Sequence, residues 1–385
     1  MPEAQGIMIN MELLNDMKLI SADDENISYM GRTEYTDKKA VKFVFAGTSA
    51  TLRFKGTQIS AVIFNHRFYN IMELGVIIDG REDKVRFDTD YEKFTLLLAE
   101  GLEYGEHEVT LFKRQDASHY FDFYGFAVDK DAEAFPPAAK PGRRIECYGD
   151  SVSAGAVCEA VEYTGKCDPE NNEGQWDNAW HSYSMITARN LGAEINNIAQ
   201  GGIAVFDGTG YYHAPNYIGM ETAYNKVCYF PEAEGGYSEW DFSRYTPHIV
   251  ILAVGQNDQH NEKDGDPDIN DPQFRERWKS GYRKIIKELR SKYPKAQFIM
   301  LLTVLMHDPG WDKAVDEIVC GLKTEGDERI SHFMFRRTGK ATPGHPRLSE
   351  QYEMAEELTA YISNMDTQIL SLIHISEPTR HAQIS

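Results

Sequence analysis

The stretch Arg143–Gly155, RRIECYGDSVSAG, decides how the second half of the chain is read. A compact apolar run around Ile145, Cys147 and Tyr148 stops at a glycine, an acid and a serine, and small residues follow. Strands buried on both faces read as short apolar runs of this kind, and open parallel sheets bind ligands at the carboxyl ends of their strands. Ser151 is then either the ordinary cap of a following helix or a nucleophile held at a strand end.

Working outward, further runs repeat the pattern: AEINNIAQ (193–200), HIVILAVG (248–255), QFIMLLTV (297–304) and ISHFMF (330–335). Between several of them lie helical patterns, WHSYSMITARNLG (180–192) and FRERWKSGYRKIIKELRSKYP (274–294). In the second, Trp278, Tyr282, Ile285, Ile286 and Leu289 recur at helical spacing. Strand and helix in alternation predict a parallel sheet covered on both faces, an α/β fold closed by a last helix over 347–365.

Upstream the rhythm differs. From Val41 to Val128 eight runs, among them ATLRFKG (50–56), QISAVIF (58–64) and HEVTLFKR (107–114), alternate apolar and polar residues between turns. Val, Ile, Phe and Thr dominate and no helical period competes, which predicts an antiparallel β-sandwich of the jelly-roll kind. DKDAEAFPPAAKPGRR (129–144) reads as a linker. The expected division is a sandwich over 1–137 and a catalytic α/β/α domain over 143–365. Residues 366–385 are read as a tail outside the fold, appended or disordered.

With 60 acidic against 40 basic residues the formal net charge is −20, and no Lys/Arg cluster offsets it locally. Such a chain repels phosphate backbones and anionic bilayers, so neither nucleic acid nor membrane is an expected partner. A neutral substrate meets no such penalty. The five cysteines have no zinc-type spacing and are read as free thiols. Without a signal peptide in these residues the expected location is cytoplasmic, or secreted if a leader precedes them. The sequence does not set the oligomeric state, and a homo-oligomer is compatible with it.

Four blocks fall where strands of the α/β half give out: GDSVSAG (149–155), NIAQGGIAVFDG (197–208), VGQNDQHN (254–261) and TPGHPRLSEQY (342–352). Taken singly each has an ordinary explanation. Ser151 could cap a helix, the pair Gly201 and Gly202 could make a turn, Asn257 could sit in one, and His345 is one of 12 histidines. Together they supply what ester hydrolysis needs: a nucleophile, donors for the oxyanion, and a base.

The order GDS, glycine block, GxND and late histidine resembles the SGNH (GDSL-type) hydrolase superfamily. With a sandwich in front, the chain looks like the carbohydrate esterase family 2 acetyl (xylan) esterases. The resemblance implies Ser151 as nucleophile and His345 as general base. It implies an oxyanion hole from the N–H groups of Ser151 and Gly202, with Gly201 the alternative, and the Asn257 amide. It further implies acetylated polysaccharides or oligosaccharides as substrates and a chemistry that needs no metal or cofactor.

Most SGNH hydrolases carry an acid two or three residues before the histidine, where this chain has Pro343 and Thr342. The resemblance to family 2 accommodates this, because its members can rely on a Ser-His dyad with a backbone carbonyl orienting the imidazole, and it implies such a dyad here. Asp308, Asp312, Asp327 and Glu328 are the nearest candidates for a displaced acid. Tyr211 and Trp311 are the candidate sugar platforms. Two rival functions stay open: a short-chain lipase or thioesterase on the same fold, and a non-catalytic carbohydrate-binding protein.

Overall fold

The structure, a computed structural model, describes residues 8–375 apart from 10–16, 38, 67–70, 89–91, 118, 234 and 235. Eight strands form the sandwich: β1 (Ala40–Phe43), β2 (Ser49–Gly56), β3 (Ile59–Asn65), β4 (Met72–Ile78), β5 (Arg81–Phe87), β6 (Lys93–Ala99), β7 (Gly105–Lys113) and β8 (Phe121–Asp129). One antiparallel sheet runs β1–β8–β3–β6 and the other β2–β7–β4–β5. Sheet membership of successive strands makes this the expected jelly roll. The alternation read from the sequence buries Leu52, Phe54, Ile63, Leu74, Val109, Phe121 and Phe123 between the sheets.

Short strands outside the expected set extend both sheets. Ile27–Met30 and Glu133–Phe135 pair with β2, and Met17–Ser21 pairs with β8. The supposed linker therefore begins with a sheet strand, and only the residues after Phe135 run free of pairing until the next strand.

That strand is β9 (Arg143–Gly149), the second strand of a five-stranded parallel sheet with β10 (Ala193–Ala199), β11 (Ile249–Ala253), β12 (Gln297–Met300) and β13 (Ile330–His332). The order is β10–β9–β11–β12–β13, so the chain reverses direction across the sheet at β9. This is the topological switch point where such sheets open a crevice. Gly149 is level with both Ala199 and Ala253, which brings three of the four motif blocks to one edge.

Helices α1 (Tyr183–Asn190) and α4 (Leu348–Ile375) cover one face with Met185, Ile186, Met354 and Leu358. On the other face, α2 (Pro272–Lys292) and α3 (Pro309–Thr324) bury Trp278, Ile286, Trp311 and Ile318. Helix α4 runs ten residues past Met365, into the expected tail. No Gly or Pro interrupts the chain between Leu348 and Pro378, so nothing stops the helix at 365.

The two halves share a core. Phe45 stacks on Tyr229 at 5.5 Å and Tyr120 on Phe230 at 5.3 Å. Arg32, wholly buried, donates to Glu146 of β9 at 3.0 Å and to the Lys226 carbonyl at 3.0 Å.

Candidate active site

Ser151 follows β9 not on a regular helix, as expected, but in a run of tight turns. Asp150, buried, holds this start: one carboxylate oxygen accepts the Val152 N–H at 3.0 Å and the other the Gln256 amide at 2.7 Å. Gly155 and Val157 then take positive φ, 73° and 55°, which a right-handed helix cannot continue through. For Val, β-branched, that conformation is strained, and Asp177 fastens it by accepting the Val157 N–H at 2.8 Å. The backbone N–H of Ser151 donates to nothing among the described residues.

Ser151 Oγ lies 2.9 Å from Nε2 of His345. Behind the ring, Nδ1 lies 2.6 Å from Oδ2 of Asp168, whose Oδ1 accepts the His345 backbone N–H at 3.0 Å. A carboxylate thus occupies the place where a backbone carbonyl was expected. It fixes the tautomer with the proton on Nδ1, leaving Nε2 to accept from the serine hydroxyl.

Asp168 arrives from the long polar crossing after β9, not from the histidine's own loop. Thr342, at the superfamily's acid position, serves that crossing instead: its hydroxyl accepts the Gly165 N–H at 2.9 Å. Arg347, buried, donates to Asp168 at 2.8 Å and to the Cys167 carbonyl at 3.4 Å. Burial alone would raise the Asp168 carboxyl, but hydrogen bonds and charge from His345, with Arg347 beside it, hold it down at about 2. Gly344, at φ 129°, leaves the room: a Cβ there would stand 2.5 Å from the carboxylate.

The other expected acids are engaged elsewhere. Asp308 caps α3, Asp312 pairs with His307, and Asp327 pairs with Arg290. Among the hydrogen bonds of His345, none involves these residues or Glu328.

Gly201 and Gly202 both line the cleft, but their amides differ. The Gly201 N–H donates to Asp116 at 2.9 Å, whereas that of Gly202 has no partner among the described residues. Asn257, buried, spends one amide hydrogen on the Ile203 carbonyl at 2.9 Å and keeps the second. Ser151, Gly202, Asn257 and His345 line one cleft of about 660 Å³.

Tyr211 and Met306 stand exposed on the wall of this cleft, and Tyr211 is backed by His260, stacked at 4.2 Å and 3°. Trp311 does not belong there. Asp308 and Pro309 begin α3, so Trp311 falls in its first turn and packs edge-on against Trp278 at 5.2 Å, 2% exposed.

Residues 29–137 match the family model for the carbohydrate esterase 2 N-terminal domain. The chain is 29% identical over 362 residues to the cellulase/esterase CelE of Acetivibrio thermocellus, a match covering 91% of this chain and 40% of that protein. It thus spans less than half of that relative. An acetylxylan esterase / glucomannan deacetylase of Cellvibrio japonicus is 25% identical over 353 residues, covering 90% of this chain and 91% of the other. The solved structure of a family two carbohydrate esterase from Clostridium thermocellum in complex with cellohexaose aligns with a TM-score of 0.73 at 28% identity, over 88% of this chain and 98% of that one. By its N-terminal family model, its relatives and its architecture, the chain resembles the family 2 carbohydrate esterases, with an SGNH-type hydrolase fold behind a jelly-roll sandwich.

Proposed function

We propose that the protein is a serine esterase that removes O-acetyl groups from plant polysaccharides or their oligosaccharides, working through a Ser151–His345–Asp168 triad. The observation that carries this reading is the continuous chain of contacts, 2.9 Å from Ser151 to His345 and 2.6 Å from His345 to Asp168.

Ser151 Oγ attacks the ester carbonyl carbon and passes its proton to Nε2 of His345. Negative charge gathers on the former carbonyl oxygen, where the N–H groups of Ser151 and Gly202 and the Asn257 amide are free to donate. The tetrahedral species collapses as His345 returns the proton to the departing sugar oxygen, leaving acetyl-Ser151. Water, deprotonated by His345, then attacks this ester, and collapse releases acetate and the serine hydroxyl. Asp168 stays ionised throughout and stabilises the imidazolium formed in each half-reaction.

Support for a sugar substrate comes from the exposed Tyr211 face on the cleft wall and from a relative named as an acetylxylan esterase / glucomannan deacetylase. The test is an acyl-chain series of 4-nitrophenyl esters alongside acetylated xylan. Acetate should be cleaved much faster than butyrate or octanoate, acetate should be released from xylan, and Ser151→Ala should abolish both. Octanoate turnover equal to acetate would favour a lipase, and binding of xylan without turnover a lectin-like role.

A further inference from the structure

Among the described residues, Asp116 is the one acid of the sandwich that lines the cleft; it lies on the turn between β7 and β8. The turn is pinned from inside by Lys113, which is buried and donates to the backbone carbonyls of Gln115, at 2.7 Å, and of Asp116. Oδ2 of Asp116 accepts two hydrogen bonds from the glycine block across the boundary, from the Gly201 N–H and from the Gln200 side-chain amide, both at 2.9 Å. The carboxylate fills the space a side chain on Gly201 would need, since a Cβ there would come within 2.5 Å of Oδ2.

The next residue is the oxyanion glycine. Gly202 has φ 72°, and its carbonyl accepts the N–H groups of Tyr211, at 2.8 Å, and Tyr212, at 3.2 Å. With the amide before it clamped by Asp116 and its own carbonyl clamped by the tyrosine loop, the free N–H of Gly202 is left with one orientation. We infer that Asp116, supplied by the N-terminal sandwich, is a positioning residue of the oxyanion hole, so that the sandwich is part of the catalytic apparatus. This rests on the serine-esterase reading above. It adds a role for a residue that lies outside all four motif blocks.

A misaimed donor weakens binding of the transition state and leaves binding of the ground state nearly unchanged. The experiment compares full-length wild type with Asp116→Ala, Asp116→Asn and Ser151→Ala on 4-nitrophenyl acetate, with phenylboronic acid as a probe. Its tetrahedral adduct on a serine places an oxygen where the oxyanion forms. Asp116→Ala should lower kcat about 10- to 100-fold, less than the roughly 10²–10³ for loss of a donor outright, with KM within about twofold. Boronate affinity should fall in proportion to kcat. Asp116→Asn keeps an acceptor oxygen for both donors and should restore most of the rate.

Should the alanine variant fail to fold, Gly201→Ala displaces the same contact from the other side and must give the same loss confined to kcat. An Asp116→Ala enzyme within twofold of wild type, a loss confined to KM, or an asparagine variant as damaged as the alanine one overturns the inference. An active Ser151→Ala enzyme would instead overturn the esterase reading itself.

Discussion

Nδ1 of His345 and Oδ2 of Asp168 lie 2.6 Å apart although 177 residues separate them in the chain. The contact closes the carboxyl-terminal loop onto the crossing that follows the nucleophile strand, so that base and nucleophile are fixed by one polar network. Asp168→Asn should keep the shape and present an amide to Nδ1, favouring the wrong tautomer. Loss of kcat of about 10⁴-fold is expected, with folding preserved and measured by thermal melting. Retention of most of kcat would return the site to a dyad.

Gly344→Ala should disturb the same contact without touching substrate. The added Cβ would meet the Asp168 carboxylate, and φ 129° is a conformation that alanine resists. The expected outcome is a fall in kcat of at least tenfold together with a lowered melting temperature.

Asn257→Ala should cost about 10²–10³ in kcat, the usual loss for one oxyanion donor. Because Asn257 also donates to Ile203 at 2.9 Å, the glycine block loses a tie as well, and a melting curve separates the two effects.

Much of this was legible in the sequence. The sandwich sheets were written as alternating apolar runs and the parallel sheet as compact ones, and three of the four blocks fell at strand ends because the register makes Gly149, Ala199 and Ala253 level. Asp168 was not legible. The segment between Ser151 and Tyr183 carries Glu159, Glu162, Asp168, Glu170, Glu173 and Asp177, and nothing local distinguishes the one that meets His345. The available signal was the length and polarity of that crossing, since long irregular loops in compact domains are commonly functional. Trp311 misled for the opposite reason. A strand-end position suggested the cleft, but the Asp-Pro helix start two residues earlier turns the ring into the core.

That difference is measurable. Trp311→Ala should destabilise the fold by about 3–5 kcal/mol, as for other large aromatic truncations in cores. Tyr211→Ala should leave the melting temperature and 4-nitrophenyl acetate turnover close to wild type while raising KM for acetylated oligosaccharides. Equal effects on both substrates would remove Tyr211 from sugar recognition.

Asp177 gives a pH signature of its own. Burial is the main cause that pushes its carboxyl up to about 7; the Val157 N–H pulls the other way and the charge of Asp116 adds to the rise. Between about pH 4 and 7 the native state then holds a proton that the unfolded chain has released, so stability falls as pH rises through that window. Above pH 7 the full cost is present, at most about 4 kcal/mol for a rise of roughly three pKa units. Asp177→Asn keeps an oxygen for the Val157 N–H and carries no charge to bury. Its melting temperature should match wild type at about pH 4, exceed it increasingly up to pH 7, and hold a constant advantage at higher pH. A variant less stable than wild type at pH 8 would mean that the Asp177 carboxylate is stabilised where it lies, and that the strained turn at Val157 depends on its charge.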